Sequence, residues 1–333
     1  MDLDTVTVRV GEAESAVNIT VYRNLLSDVS PYFRGAFEGS FVEATDRFIS
    51  LTDVTEHTFR MFLQWVHTQV YEHSSGATIP SPAILLHGST TKNAGNTTTG
   101  PVEVQPPHPT QSVPDAETLP DATSALDELD GHQKRWDVNE IEGLCSENSE
   151  LINGYRLSLL SFLRLYVFAD KYNVPQLRDD VLTALTAQSI SWCWWPDIER
   201  ELMESAYAAL PSSSKFIRLL VLSTAYCWLS QPGTSSATKM RAMKEMNEEF
   251  AFEVMVVQNQ RLKDGESLEG MPSEGMPFWL EEAMPDSCTL HEHLARDAAK
   301  CRERICDQPY IFTGLIEMCA QDALSMAKES DEG

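Results

Sequence analysis

Val6, Val8 and Val10 alternate with polar residues, and Val17, Ile19 and Val21 repeat that period after a break at residues 11–15. A period of two is the signature of half-buried strands, so the two runs predict a hairpin. Helical spacing then takes over at Leu25, Leu26 and Val29 and stops at Ser30-Pro31, because a residue preceding proline is pushed out of the α region. Pro31 suits the first position of the next helix, where its missing N–H costs nothing, and Phe33, Ala36 and Phe37 supply one apolar face. Phe48, Ile49 and Leu51 read as a third short strand. Thr55 is placed to cap a helix whose stripe is Phe59, Phe62, Leu63 and Val66.

Further along, Leu160, Leu163 and Val167 share a helical face that Leu159, Phe162 and Tyr166 widen, so this helix is expected to be largely buried. Val174-Pro175 breaks it, and Leu177, Val181, Leu182 and Leu185 form the next stripe. Residues 191–333 read as mostly helical. Trp192, Trp194 and Trp195 are expected to cover a join, and one helix is expected from Asp197 to Ala209. Ser212, Ser213 or Ser214 then caps an apolar helix through Ile217, Leu220, Val221, Thr224 and Trp228. A single helix is expected from Thr238 to about Gln260, striped by Met243, Met246, Phe250 and Val254.

The window VNITVYRNLLSDVSPYFRGAFEGSFVEATDRFISL, Val17 to Leu51, resembles the opening of a BTB/POZ domain, a protein–protein interaction module. The family usually runs from its second strand into His-basic-x-Leu-Leu and then Ser-x-aromatic-Phe. Here Tyr22-Arg23-Asn24-Leu25-Leu26 precedes Ser30-Pro31-Tyr32-Phe33, with Tyr22 in place of the histidine. Residues 159–188 resemble the family's closing helix pair, and LPSSSKFIRLLVL resembles a phrase that follows the domain in many fungal proteins. The resemblance implies an α+β BTB/POZ fold, short strands packed with a helix cluster, followed by a mainly α-helical C-terminal region. Its first part is expected over 1–72 and its closing helices over 151–190, with the helical region over 191–333.

Residues 73–150 separate the two matched parts. They carry Pro106-Pro107, Pro109, Pro114 and Pro120, and 12 acidic against 3 basic residues. Low hydrophobicity with net negative charge cannot bury enough surface to offset chain entropy, so this stretch reads as a disordered acidic insertion. Docking or phosphorylation of the stretch is the functional alternative. Long insertions are tolerated because loop-closure entropy grows only logarithmically.

Net charge narrows the partners. At −25 the chain repels phosphate backbones, which argues against nucleic acid and against an anionic membrane surface. No apolar run approaches the ~20 residues of a membrane span. The acidic start Met1-Asp2-Leu3-Asp4 reads as no signal peptide, and it leaves no arm ahead of the first strand for a strand-exchanged dimer; a helix-mediated homodimer stays open. Seven cysteines, odd in number and scattered, suit reduced thiols in the cytosol or nucleus.

Two groups of residues carry candidate chemistry. Some BTB proteins recruit the cullin scaffold of ubiquitin ligases through a hydrophobic-x-Glu motif, and the resemblance places Phe41, Val42 and Glu43 there. The alternative is that Phe41 packs beneath the neighbouring helix. The second group is Cys288, His291, His293 and Cys301, within fourteen residues and followed by Cys306. Thiolates and imidazoles are the ligands of tetrahedral zinc, and a Cys-x2-His-x-His…Cys tail resembles one in fungal BTB proteins. A structural zinc competes here with buried thiols beside surface histidines. Catalytic zinc is disfavoured, because Ala295 stands where a His-Glu-x-x-His motif needs histidine. No phosphate loop, Gly-x-Ser-x-Gly elbow or Cys-x-x-Cys pair occurs, and Asp170-Lys171 and Asp179-Asp180 read as solvated helical faces. A non-enzymatic adaptor or scaffold is the resulting expectation, with a self-associating or transcription-related regulator as the alternative.

Overall fold

The structure is a computed structural model that describes residues 4–12, 16–70, 149–191, 200–227, 236–263 and 288–331. The insertion expected over 73–150 lies outside the described residues, except that residues 149 and 150 open a helix. Trp192, Trp194, Trp195 and Trp228 lie outside them too.

Strands β1 (Thr5–Val10) and β2 (Val17–Tyr22) form the expected antiparallel hairpin, with Val8 opposite Ile19 and Val6 opposite Val21. β3 (Phe48–Leu51) pairs in parallel with the other edge of β1, placing Ile49 beside Val8 and Leu51 beside Val10. The order β2-β1-β3 puts the valines of β1 at the centre, and their inward faces are buried.

Between β2 and β3 run α1 (Arg23–Val29), α2 (Pro31–Glu38) and the single turn α3 (Val42–Asp46). Ser30 makes the α1–α2 break work in both directions. Its hydroxyl accepts from the Phe33 N–H at 3.1 Å, capping α2, and donates to the Tyr172 carbonyl at 2.6 Å. A local cap is thus also a tertiary tie across 142 residues. Thr55 caps α4 (Glu56–Val70) as expected, through Thr58 N at 3.1 Å.

Helix α5 (Ser149–Lys171) returns the chain to the same core, where Phe168 lies 4.8 Å from Phe62 and 6.2 Å from Phe59, centroid to centroid. Asn173 takes a left-handed φ of 48° in the turn before α6 (Pro175–Ser191). Every residue of α6 from Leu177 to Leu185 is buried, so the helix has no solvated side along that stretch. The expectation of a solvated Asp179-Asp180 face is therefore corrected: Asp179 is 3% exposed and Asp180 1%.

The helical region continues with α7 (Arg200–Ala209), α8 (Lys215–Cys227), α9 (Ser236–Met246) and α10 (Glu248–Lys263). Ser214 caps α8 through Phe216 N at 3.3 Å. The single helix expected from Thr238 is split, because the Asn247 side chain accepts from Phe250 N at 2.9 Å and starts a new helix there. α11 (Ala298–Asp307) and α12 (Pro309–Asp331) close the described chain. α12 packs against α5, α6 and α4, burying Ile311, Phe312, Leu315 and Met318. Among the described residues, no helix is long and apolar enough to cross a membrane.

Candidate functional site

The first site lies where α2 ends. Gly39 N–H closes α2 on the Gly35 carbonyl at 3.0 Å. A Cβ at Gly39 would collide with that carbonyl oxygen and sit 3.3 Å from the Phe41 ring, so only glycine fits. The tight exit throws Phe41 and Val42 outward, to 62% and 64% exposure. Packing of Phe41 beneath the neighbouring helix, the alternative held open above, does not occur. Glu43 follows, half-buried, in the first turn of α3.

Tyr32, the aromatic of the Ser30-Pro31-Tyr32-Phe33 motif, belongs to the same surface, close enough to feel the Glu43 charge. It is exposed on α2 and edge-on to Tyr172, at 5.2 Å between centroids. Burial first, then the charges of Glu43 and Asp53, raise its phenol, while Lys171 opposes them. Those charges therefore border the ring. Asp53 accepts from Lys171 at 2.5 Å and from the Tyr172 hydroxyl at 3.0 Å. Burial alone would raise the Asp53 carboxyl, but these two hydrogen bonds and the Lys171 charge hold it below its ordinary value. The surface is an apolar pair beside an aromatic and an acidic rim.

The second site gathers Cys288, His291, His293 and Cys301. Their ligand atoms all lie within 4.8 Å of one another, and three of the four residues are buried. Cys288 and His291 belong to the loop before α11, and Cys301 to α11 itself, where Asp297 caps the helix through Lys300 N. His291 Nδ1 is 3.2 Å from Cys301 Sγ, and its Nε2 is 2.8 Å from Thr183 Oγ1. His293 has a left-handed φ of 54°, and its Nε2 is buried without a hydrogen-bond partner among the described residues. The thiols are buried, as the alternative of buried thiols beside surface histidines has it, but His291 is buried with them and His293 is half-buried. Burial first, then Cys288, Asp179 and Asp180, push the Cys301 thiol up to about 12. A cation at the centre would reverse that preference, because metals take the thiolate.

α6 holds this loop. The Asp179 carboxylate accepts the backbone N–H groups of Glu292 and His293, at 2.9 and 3.3 Å. Arg178 pairs with Asp170 at 2.6 Å and with Glu292 at 2.8 Å. Burial raises the Asp179 carboxyl, with Asp180 adding to it, while the two N–H groups pull the other way. Asp180 meets Arg304 of α11 in a two-pronged pair, at 2.5 and 2.7 Å, and also accepts from Trp65 Nε1 at 2.9 Å. Sequence reading missed Thr183 and Arg304 and misplaced Asp179 and Asp180. The available signal was a run of charged residues inside a helix that also carries a broad apolar stripe, because buried charge must be partnered.

Residues 2–82 match the family model of the BTB/POZ domain. No curated protein and no solved structure matches the chain. The match spans the hairpin, α1 to α4 and β3, and so includes the α2–α3 junction that exposes Phe41 and Val42. This chain therefore carries a BTB/POZ domain, a module through which proteins bind other proteins.

Proposed function

We propose that this chain is a non-enzymatic adaptor of the fungal BTB type that recruits a cullin through Phe41, Val42 and Glu43. The observation that carries the reading is the outward display of Phe41 and Val42 beside Glu43, held there by a glycine that cannot be replaced without a clash. An exposed apolar pair is suited to fill a pocket on a partner helix, and the carboxylate to accept a hydrogen bond at its edge. The reading divides the domain into 1–72 and 151–190, around the insertion at 73–150, with 191–333 as the region available for a second partner. Residence in the cytosol or nucleus goes with it, where thiols stay reduced.

The test is a titration of the full chain against a cullin N-terminal domain. Phe41→Ala and Glu43→Ala are each expected to weaken binding more than tenfold, about 1.4 kcal/mol. Absence of binding by folded wild type would overturn the adaptor. Growth of the particle mass with concentration, indifferent to both substitutions, would instead favour the self-associating scaffold.

The same reading takes Cys288, His291, His293 and Cys301 as a structural zinc centre. Four protein ligands fill a tetrahedral ion and leave no open position for a substrate, which supports a structural rather than a catalytic role. Elemental analysis of protein purified without chelator is expected to find about one zinc per chain, and a Cys288→Ser, Cys301→Ser double variant to lose it.

A further inference from the structure

We infer that helix α6 works as the outer shell of this metal centre, so that metal binding clasps the tail, residues 288–331, onto α4, α5 and α6. The inference rests on the zinc reading above and adds to it the residues that control the site and what the site governs.

One ring orientation serves both sides of the site. His291 Nδ1 faces Cys301 Sγ at 3.2 Å, and its Nε2 faces Thr183 Oγ1 at 2.8 Å. Only a ring protonated on Nε2 offers the Nδ1 lone pair to a metal, and Thr183 Oγ1 is placed to accept that Nε2–H while its own proton reaches the Asp179 backbone carbonyl at 3.0 Å. In that tautomer, without metal, Nδ1 is placed to accept the Cys301 S–H. With metal, Nδ1 donates its lone pair to the ion, and Cys288 and Cys301 each release a proton to solvent as they bind as thiolates. A ligating histidine held by a hydrogen bond on its other nitrogen is how metal sites fix ring orientation and raise ligand basicity.

Asp179 does the second part of the work. By accepting both the Glu292 and His293 N–H groups it stabilises the left-handed turn at His293, a conformation that costs a non-glycine residue energy. That turn places one ring nitrogen of His293 with the other three ligand atoms, and its Nε2 is buried without a hydrogen-bond partner among the described residues. Asp179 and Thr183 are four residues apart and so share one face of α6. A tetrahedral zinc with bonds of about 2.0–2.3 Å has ligand-to-ligand edges of roughly 3.3–3.8 Å. Atoms already within 4.8 Å need to close by only about an ångström.

The clasp reaches beyond its ligands. Three residues after Cys301, Arg304 pairs with Asp180 of α6 and donates to Gln69 of α4 at 2.8 Å. α12 follows directly and lies on α4, α5 and α6. Fixing Cys301 in α11 therefore fixes the start of α12.

The test uses the full chain and cobalt(II) as the probe, with zinc competition for affinity. Wild type is expected to give the intense visible bands of a tetrahedral site with two thiolates. Thr183→Val is expected to weaken cobalt binding about 10–100-fold. Thr183→Ser, which restores the hydroxyl, is expected to recover it. A purely structural role for Thr183 would not shift the cobalt spectrum. In wild type, metal is further expected to slow amide exchange across α11 and α12, a comparison that needs no variant. Failure of wild type to bind cobalt or zinc would overturn the zinc reading and this inference together. Binding that Thr183→Val leaves unchanged in affinity and spectrum would overturn the role of α6 and leave the zinc centre standing. Binding with unaltered exchange in α12 would overturn the clasp.

Discussion

Asp180 and Arg304 form an ion pair almost without solvent, with side chains 2% and 3% exposed. Each nevertheless has more than its partner's charge: Asp180 takes hydrogen bonds from Trp65 and Gln176, and Arg304 gives one to Gln69. Desolvating two charges costs about as much as their attraction returns, so the pair is weak evidence for net stability, whereas breaking it is costly. Arg304→Met is expected to destabilise the chain by about 3–5 kcal/mol, because Asp180 stays behind as a buried charge. The double variant Arg304→Met, Asp180→Leu is expected to recover much of the loss. Urea denaturation of the four proteins in the cycle checks both; equal stability of Arg304→Met and wild type would refute the account. These residues also mark the limit of what the sequence discloses. Leu177, Val181, Leu182 and Leu185 name one buried face of α6 correctly, but a stripe cannot show that α12 and the 288–297 loop cover the other faces as well. Cys288, His291, His293 and Cys301 were legible as a group because their spacing is short. Thr183 and Asp179, more than a hundred residues away, were not.

Elements with a local stop or start signal were the ones the pattern placed well. Ser30-Pro31 fixes the α1–α2 break and Thr55 opens α4, each through a side-chain cap within three residues. The same physics explains the miss at Asn247: its carboxamide caps α10, but an asparagine inside an apolar period does not interrupt that period. The α2–α3 junction offers a matched pair of tests. Gly35 has open space where a Cβ would go, while at Gly39 a Cβ would strike backbone. Gly35→Ala, inside α2, is expected to stabilise by about 0.5–1 kcal/mol through helix propensity. Gly39→Ala is expected to destabilise by roughly 1–3 kcal/mol and, by displacing Phe41, to weaken cullin binding as well. Thermal denaturation and the cullin titration read the two effects separately. A neutral Gly39→Ala would mean that the exit from α2 is looser than its geometry.

At the scale of the molecule, the sheet and α1–α4 share their core with helices that come much later in the chain. Phe33 stacks on Tyr172, Ser30 is tied to the Tyr172 carbonyl, and His57 meets Asp322 of α12 at 3.2 Å while Ser161 donates to the same carboxylate. Periodicity found these helices as helices, but nothing in a period says which distant surface they cover. Ile311, Phe312, Leu315 and Met318 are buried by α12, at roughly 1.5–3 kcal/mol each. Their sum is on the order of 6–12 kcal/mol, comparable with the whole stability of a typical domain. A chain lacking residues 309–331 is accordingly expected to lose its near-ultraviolet circular dichroism and to bind hydrophobic dyes; a native spectrum from it would show α12 to be an accessory. The position of α12 also sets a timetable for the newborn protein. About 240 residues separate the end of α4 from the start of α12. At roughly 5–20 residues per second, the ribosome presents α4 on the order of 12–50 s before the helix that covers it. Throughout that interval the apolar surfaces of α4 and then α5 have no lid of their own, and the nascent chain must either hold them in transient contacts or lend them to a chaperone.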